Sequence, residues 1–233
     1  MTLDQLLQKL KEIRSLGFVP TVRAHHGGVG NTLETLLKIK ENNFRLPDVG
    51  EIELKAKRIG SKSMLTLSSR APLPRGVNRL LYNKYHREVE SGKGRLYTTV
   101  YGSRTNNRGF QVVVKNNVLK LVNPNNIEAF WIMETLDDVL KKGTKKVLLV
   151  LAETKGNLGS KSEKFFYKEA YLLRGLNFEK LKKAIQNDAL KIDIRIGYDI
   201  TGKKIGKYHD HGTGFRIMKD KYLELFDKVV RLI

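Results

Sequence analysis

The chain has 233 residues, with 44 Lys and Arg against 24 Asp and Glu and no cysteine, so its net charge is +20 with histidines neutral. The length suits one large domain or two closely packed lobes, and 40% hydrophobic residues can fill a core, which argues against disorder. Without cysteine there is no disulfide scaffold, thiolate zinc site or cysteine nucleophile, and an intracellular location is the simpler expectation. The longest apolar run, Val147 to Ala152, is far shorter than the ~20 residues that span a bilayer, and Asp4 and Glu12 stand where a signal peptide would be apolar. A soluble protein with no membrane partner is expected. A charge excess spread along the chain points to a polyanion, nucleic acid being the commonest, although a solvated surface or a Lys-rich thermophilic composition gives the same number.

In chain order, Thr2 caps a helix with Gln5 at the capping-box position, and Leu3, Leu6, Leu7, Leu10 and Ile13 form one apolar face that ends at Gly17. After Phe18 to Pro20, the loop Arg23 to Asn31 leads into a short helix with Leu33, Leu36 and Leu37 inward. Its glycines can admit a phosphate to backbone N–H groups or act as a hinge; the Lys-Ser or Lys-Thr of a nucleotide loop is missing. Residues 51 to 57, EIELKAK, alternate as a strand with one charged face. Met64 to Ser68 reads as a strand, Val77 to Tyr85 as a basic helix with Leu80, Leu81 and Tyr85 inward, and Glu88 to Arg95 as a loop. Leu96 to Tyr101 and Phe110 to Val122 are strand-rich, the second forming a hairpin about Asn116-Asn117. Between them Arg104, Asn106, Asn107 and Arg108 make a polar, basic tip. A strand at Ala129 to Met133, a helix at Leu136 to Lys142, the buried strand Val147 to Ala152 and a strand at Phe165 to Leu172 follow. Helix Asn177 to Asn187 and strand Ile192 to Ile196 complete the series. This order predicts an α/β (α+β) fold, a mixed central β-sheet flanked by helices in a single compact unit; no repeat or linker marks a boundary.

The segment Leu46 to Lys55 carries the first chemical signal. Side chains two apart on a strand share a face, so Glu53 and Lys55 project together, and Gly50 lets the chain bend Asp48 toward them. Carboxylate oxygens are the ligands Mg²⁺ prefers, and a retained water can become a nucleophile. A lysine beside that water can orient it and stabilise a pentacovalent phosphate, with Glu34 on the preceding helix as a further carboxylate. The bland reading is a solvated charged strand face. The second signal is Lys191 to Gly197 followed by Lys203, Lys204, Lys207 and His209 to Arg216. Asp193 and Arg195 share one strand face, opposite Ile192, Ile194 and Ile196. Arg reads guanine bidentately, Asp accepts from cytosine N4 and His donates to guanine, a set that favours G·C-rich sites. The same Asp and Arg are equally an ordinary surface pair, and His209 with His211 is a weak zinc alternative lacking a spaced third ligand. Lys203, Lys204, Lys207 and the Arg104 to Arg108 tip are candidate phosphate contacts.

The segments GVGNTLETLL, LPDVGEIELKAK, SMLTLSSRAPLPRG, KIDIRIG, TGKKIGK and HDHGTGFRI, in this order, resemble the MvaI- and BcnI-type restriction endonucleases. That family is related to the mismatch-repair nickase MutH within the PD-(D/E)XK nuclease superfamily. The resemblance implies a MutH-like nuclease fold with a catalytic lobe near 1–150 and a DNA-recognition lobe near 151–233. It implies that Asp48, Glu53 and Lys55, supported by Glu34, form a Mg²⁺-dependent catalytic core with Asp48 and Glu53 on the metal. Asp193, Arg195, His209, His211 and Arg216 become the base-reading residues. It further implies a monomer in the prokaryotic cytoplasm that acts on double-stranded DNA at a short, nearly palindromic CCNGG-type site. Such an enzyme nicks one strand and then the other, beside a companion methyltransferase. A MutH-like strand nickase and a catalytically silent DNA-binding protein are the alternatives.

Overall fold

A computed structural model describes residues 2–39, 52–89, 93–136, 146–199, 205–206, 208–210, 212–218 and 221–233. The first elements are α1 (Leu3–Ser15), β1 (Val19–Pro20), α2 (Gly28–Leu36), β2 (Ile52–Arg58), β3 (Leu65–Ser69) and α3 (Val77–Tyr85). Then come β4 (Arg87–Val89), β5 (Lys93–Val100), β6 (Gln111–Lys115), β7 (Val118–Val122), β8 (Phe130–Ile132) and a 3-10 turn at Met133–Leu136. The remainder is β9 (Lys146–Lys155), β10 (Lys164–Arg174), α4 (Phe178–Gln186), β11 (Leu190–Asp199), β12 (Tyr208–Asp210), β13 (Gly214–Ile217), α5 (Tyr222–Leu225) and β14 (Lys228–Arg231). The chain forms two compact units, one of Met1–Ser63, Lys141–Leu176 and Phe226–Ile233, the other of Met64–Leu140 and Asn177–Leu225. A boundary near residue 150 would cut through β9, whose partners β2 and β10 come from opposite sides of it, so the units interleave rather than divide the chain into halves.

The first unit is built on a mixed sheet in the order β1-β10-β9-β2, with β14 on β10; β2 and β9 run parallel and the other pairs antiparallel. Val147 to Ala152 are all buried, as a parallel-paired strand covered on both faces requires. Leu6, Leu10 and Ile13 of α1 and Val29, Leu33 and Leu37 from α2 and its C-cap pack on Ile52, Leu54, Leu148 and Val150. The capping box of α1 is present in both directions, Gln5 N to Thr2 Oγ1 and Thr2 N to Gln5 Oε1. Helix α2 starts at Gly28, inside the expected glycine loop, because the chain passes so close that a Cβ on Gly28 would stand 2.5 Å from Arg23 O. The Tyr167 hydroxyl donates to Val29 O at 2.8 Å, fixing α2 to β10, and burial pushes its pKa well above the ordinary tyrosine value.

At the end of β2, Arg58 forks onto Glu163, with Nε to Oε1 at 2.6 Å and Nη2 to Oε2 at 2.7 Å, while Nη1 donates to His26 O at 2.9 Å. Gly159 N also donates to Glu163 Oε2, and His25 N donates to Gly159 O. One buried ion pair thereby joins a strand and two turns. Glu163 is 1% exposed, and the hydrogen bond from Arg58 holds its carboxyl below the usual range.

The second unit has an antiparallel six-stranded sheet, β3-β13-β11-β5-β4 with β12 on β11, and a three-stranded sheet β6-β7-β8. One face of the larger sheet buries Leu96, Ile192, Ile194, Ile196, Phe215 and Ile217. The hairpin between β6 and β7 turns on Asn116 and Asn117 at φ 46° and 59°, the left-handed pair that a two-residue turn needs. Two expectations fail in this unit. Helix α3 turns Val77, Asn78, Leu81 and Tyr82 inward and leaves Leu80 57% exposed. Its rotation is set by Tyr82, whose hydroxyl fills the space where a side chain on Gly94 would begin. Of the loop expected at Glu88 to Arg95, residues 90–92 lie outside the described residues and the rest is strand: Arg87 pairs with Arg95 and Glu88 with Gly94 across β4 and β5, a backbone ladder that the charged side chains conceal in the sequence. Of the helix expected at Leu136 to Lys142, residues 137–142 lie outside the described residues, and Leu136 ends the 3-10 turn. Strands β12, β13 and β14 and helix α5 have no counterpart among the expected elements.

Glu163→Gln leaves Arg58 buried without an anion and is expected to lower stability by ~3 to 5 kcal/mol at neutral pH, read by urea unfolding. Because the folded pKa of Glu163 is depressed, its contribution is complete above the ordinary value of 4.5 and lost as pH falls through the lower folded value. The wild-type protein should therefore lose stability below about pH 4.5 more steeply than the variant.

Candidate active site and polar sheet face

Strand β2 has β9 as its neighbour at the end of the sheet order, and its alternation puts Glu53, Lys55 and Lys57 on one face. That face is largely withdrawn from solvent: Glu53 is 7% and Lys57 5% exposed, with Lys55 partly exposed. Lys55 Nζ donates to Glu53 Oε1 at 2.6 Å, so the carboxylate is desolvated with its countercharge in contact. Lys57 Nζ donates to Ser63 O, which ties the third charge to the turn after the strand. Helix α2 packs on β2 and carries Glu34 half-buried, within electrostatic reach of the Tyr167 hydroxyl, whose pKa its charge helps to raise. Asp48 lies outside the described residues. Among the described residues no group of three or more His, Cys, Asp or Glu forms a metal cluster. Glu53 alone of the expected ligand pair is described, and a buried carboxylate is the donor type a hard cation takes.

In the second unit, the face of the six-stranded sheet opposite its apolar side is polar. Register sets Asp193 beside Thr99 and Gly214, Arg195 beside Tyr97, Arg216 beside Lys191 and Thr66, and His209 beside Gly197. Asp193 is 6% exposed and pairs with Arg216, not with its strand neighbour Arg195: its Oδ1 accepts from Thr99 Oγ1 at 2.7 Å and its Oδ2 from Arg216 Nη1. Arg216 Nη2 donates to Met64 O at 2.9 Å. Arg195 lies across Gly214, its Nη2 3.2 Å from where a Cβ would stand. The Nε atoms of Arg195 and Arg216 are buried and find no acceptor among the described residues. Next to His209, Asp210 accepts from Asn78 Nδ2 and from Gly212 N, both at 2.8 Å. His211, Lys203, Lys204 and Lys207 lie outside the described residues.

The model of the MvaI/BcnI restriction endonuclease family matches residues 7–226. The chain belongs to that family. It is thus a site-specific deoxyribonuclease of the restriction type. The solved structure of restriction endonuclease MvaI in complex with cognate DNA substrate is 33% identical and superposes with a TM-score of 0.88, covering 100% of both chains. MvaI in the absence of DNA, at the same 33% identity, gives a TM-score of 0.58 over 100% of this chain and 99% of that one. No curated protein matches the chain.

Several residues of this endonuclease's polar face have no signature in the sequence. Thr99, Tyr97 and Gly214 become visible only through register, because β5, β11 and β13 are far apart in the chain and alternation alone does not name a strand's partner. Of the basic tip, Arg104 is exposed with its guanidinium 4.2 Å from the Tyr101 ring centroid. Arg108 instead donates through Nη1 to Tyr85 O at 2.8 Å, satisfying a carbonyl at the C-terminus of α3. Thr99→Val removes the donor to Asp193 Oδ1 and with it one of the two restraints on the carboxylate that holds Arg216. Roughly tenfold slower cleavage of specific DNA sites is expected, from a lost buried hydrogen bond of about 1 to 2 kcal/mol, with Thr99→Ser restoring the rate. Equal rates for the valine and serine variants would dismiss this role for Thr99.

Proposed function

We propose that this restriction endonuclease is a type II, Mg²⁺-dependent enzyme that hydrolyses double-stranded DNA to 5′-phosphate and 3′-hydroxyl ends. Its target is a short, nearly palindromic G·C-rich site of the CCNGG kind, cut by a monomer that nicks one strand and then the other. The observation that carries the reading is the Glu53–Lys55 pair on β2, a carboxylate 7% exposed with an ammonium 2.6 Å away: withdrawing that carboxylate from water has a cost, and charges held at such a cost cluster at functional sites. Asp48 and Glu53 are the residues proposed to hold Mg²⁺, and Glu34 supports them from α2. When bound, such an ion supplies Lewis-acid charge and lowers the pKa of a coordinated water. Lys55 holds Glu53 Oε1 in place and offers positive charge to the phosphate as negative charge builds on it.

Arg195, Arg216, His209 and His211 are the proposed donors to guanine. Asp193, with one donor on each oxygen, retains lone pairs for a cytosine N4. Lys203, Lys204, Lys207 and Arg104 are proposed phosphate contacts, and Arg108 serves next to them as a charge fixed on α3. The cognate-DNA complex of the similar MvaI structure supports double-stranded DNA as the partner. The same reading places the protein in a prokaryotic cytoplasm with a companion methyltransferase.

Incubation with plasmid and Mg²⁺ should give discrete linear fragments through an open-circle intermediate, and EDTA should abolish them. Sequencing the fragment ends gives site and cleavage position together; a reaction that stops at open circles identifies a strand nickase instead. Lys55→Ala is expected to remove cleavage while leaving DNA binding largely intact, and undiminished cleavage by that variant would reject the active-site assignment. Arg195→Ala should lower discrimination against a changed base pair by ~1 to 3 kcal/mol, measured as the ratio of cleavage rates on the two DNAs.

A further inference from the structure

At the edge of the polar face, where Tyr97 and Thr99 belong to both, the second unit holds a cup of about 540 Å³ between β4, β5 and the turn that follows β5. Three arginines, Arg87, Arg104 and Arg108, line it together with Tyr97, Tyr101 and threonine and asparagine side chains, and among the described residues no acidic side chain does. The cup is therefore positive, with no countercharge among the described residues that line it. The cost is visible at Arg108, whose pKa is lowered first by burial and then by Arg87 beside it. An anion in the cup relieves that repulsion.

The aromatic rings decide what kind of anion fits. Tyr101 carries the Arg104 guanidinium 4.2 Å from its centroid and Lys191 Nζ at 5.2 Å, and Tyr97 carries Arg95 at 5.6 Å. Their π-faces already hold cations, so they serve to aim charge rather than to stack a base. The floor is rigid. Asn106 Nδ2 donates to Thr98 Oγ1 at 2.9 Å and Thr99 O at 2.8 Å, while its Oδ1 accepts from Arg108 N and Phe110 N. Asp188 accepts from Gly102 N and Ser103 N at the start of the same turn. A cup of this size is larger than one phosphate needs and suits a phosphodiester with the sugars on either side of it.

We propose that this cup seats a segment of DNA sugar-phosphate backbone, with Arg87 and Arg104 as its phosphate contacts and Arg108 as the fixed charge behind them. The proposal rests on the nuclease reading above and adds a place and a residue, Arg87, that the sequence did not mark. It also gives the seat a second consequence: Thr99, which lines the cup, is the residue that donates to Asp193, so the backbone segment is registered directly against the polar face.

The experiment uses the full chain in EDTA and a duplex containing the sequence it cleaves, with single methylphosphonates placed in turn at each phosphate. Wild type should lose roughly tenfold in affinity at one or two positions, from charge-assisted hydrogen bonds that a neutral linkage weakens. The R87A/R104A variant should bind the unmodified duplex at least tenfold more weakly and be indifferent to methylphosphonates at those positions. Its salt slope should be smaller by about 0.9 for each phosphate that it no longer neutralises. R87K/R104K should keep the slope, which separates missing charge from a damaged fold. Methylphosphonate penalties identical in wild type and R87A/R104A, or an unchanged salt slope, overturn the cup while leaving wild-type cleavage intact. A wild-type protein that neither binds nor cuts DNA overturns both readings.

Discussion

Glu53 is 7% exposed, and a carboxylate that dry is stable as an anion only if a cation or a set of donors stands beside it. Lys55 provides the cation at 2.6 Å, two residues on along the same strand, so the pair survives only while β2 is held straight enough for both side chains to share a face. The parallel pairing with β9 supplies that straightness from Ile52 to Arg58, and the apolar layer of α1 and α2 dries the strand from one side. The Arg58–Glu163 fork then fixes the strand's far end to the turns at His26 and Gly159. The placement of the Glu53–Lys55 pair proposed as catalytic is thus a by-product of how a charged strand is made tolerable inside a sheet.

The polar face of the second unit follows a different logic. There Asp193 has one donor on each oxygen, Thr99 and Arg216, whereas the Nε atoms of Arg195 and Arg216 are buried without an acceptor among the described residues. A buried guanidinium nitrogen without an acceptor is a cost that a binding partner can remove. The charges on β2 are matched within the chain, while on the polar face two arginine donors are left without an acceptor among the described residues. Gly214 contributes by absence, since a Cβ there would press on Arg195 Nη2 at 3.2 Å.

What the sequence disclosed was local. The capping box of α1, the apolar run of β9, the Asn116-Asn117 hairpin and the Glu53–Lys55 face all depend on residues a few positions apart, and all are present. What it concealed was non-local. Asp193 reads as the neighbour of Arg195, yet its ion pair is with Arg216, because the antiparallel return of β13 sets Gly214 beside Asp193 and Arg216 close by. Helix α3 is rotated because Tyr82 fits against Gly94 on another element, and β4 is hidden because its ladder is made by backbone under charged side chains. Asp48, His211 and Lys203, Lys204 and Lys207 fall outside the described residues, so for them the family motif remains the whole argument.

The same distinction changes the meaning of the +20 net charge. Arg58, Lys57, Arg108 and Arg216 are basic residues spent on internal partners: a buried glutamate, the Ser63 carbonyl, the Tyr85 carbonyl, and Asp193 with the Met64 carbonyl. The pairs with Glu163 and Asp193 already cancel within the net charge, and the carbonyl contacts fix Lys57 and Arg108 in place without neutralising them, so the total says how much charge is present but not where it is aimed. It is the exposed arginines of the cup, Arg87 and Arg104, that set the local potential a phosphate meets, because among the described residues no acidic side chain lines it with them. Long-range attraction scales with the total, but the number of counterions released on binding scales with these few contacts, so a strongly basic chain can have a modest salt slope.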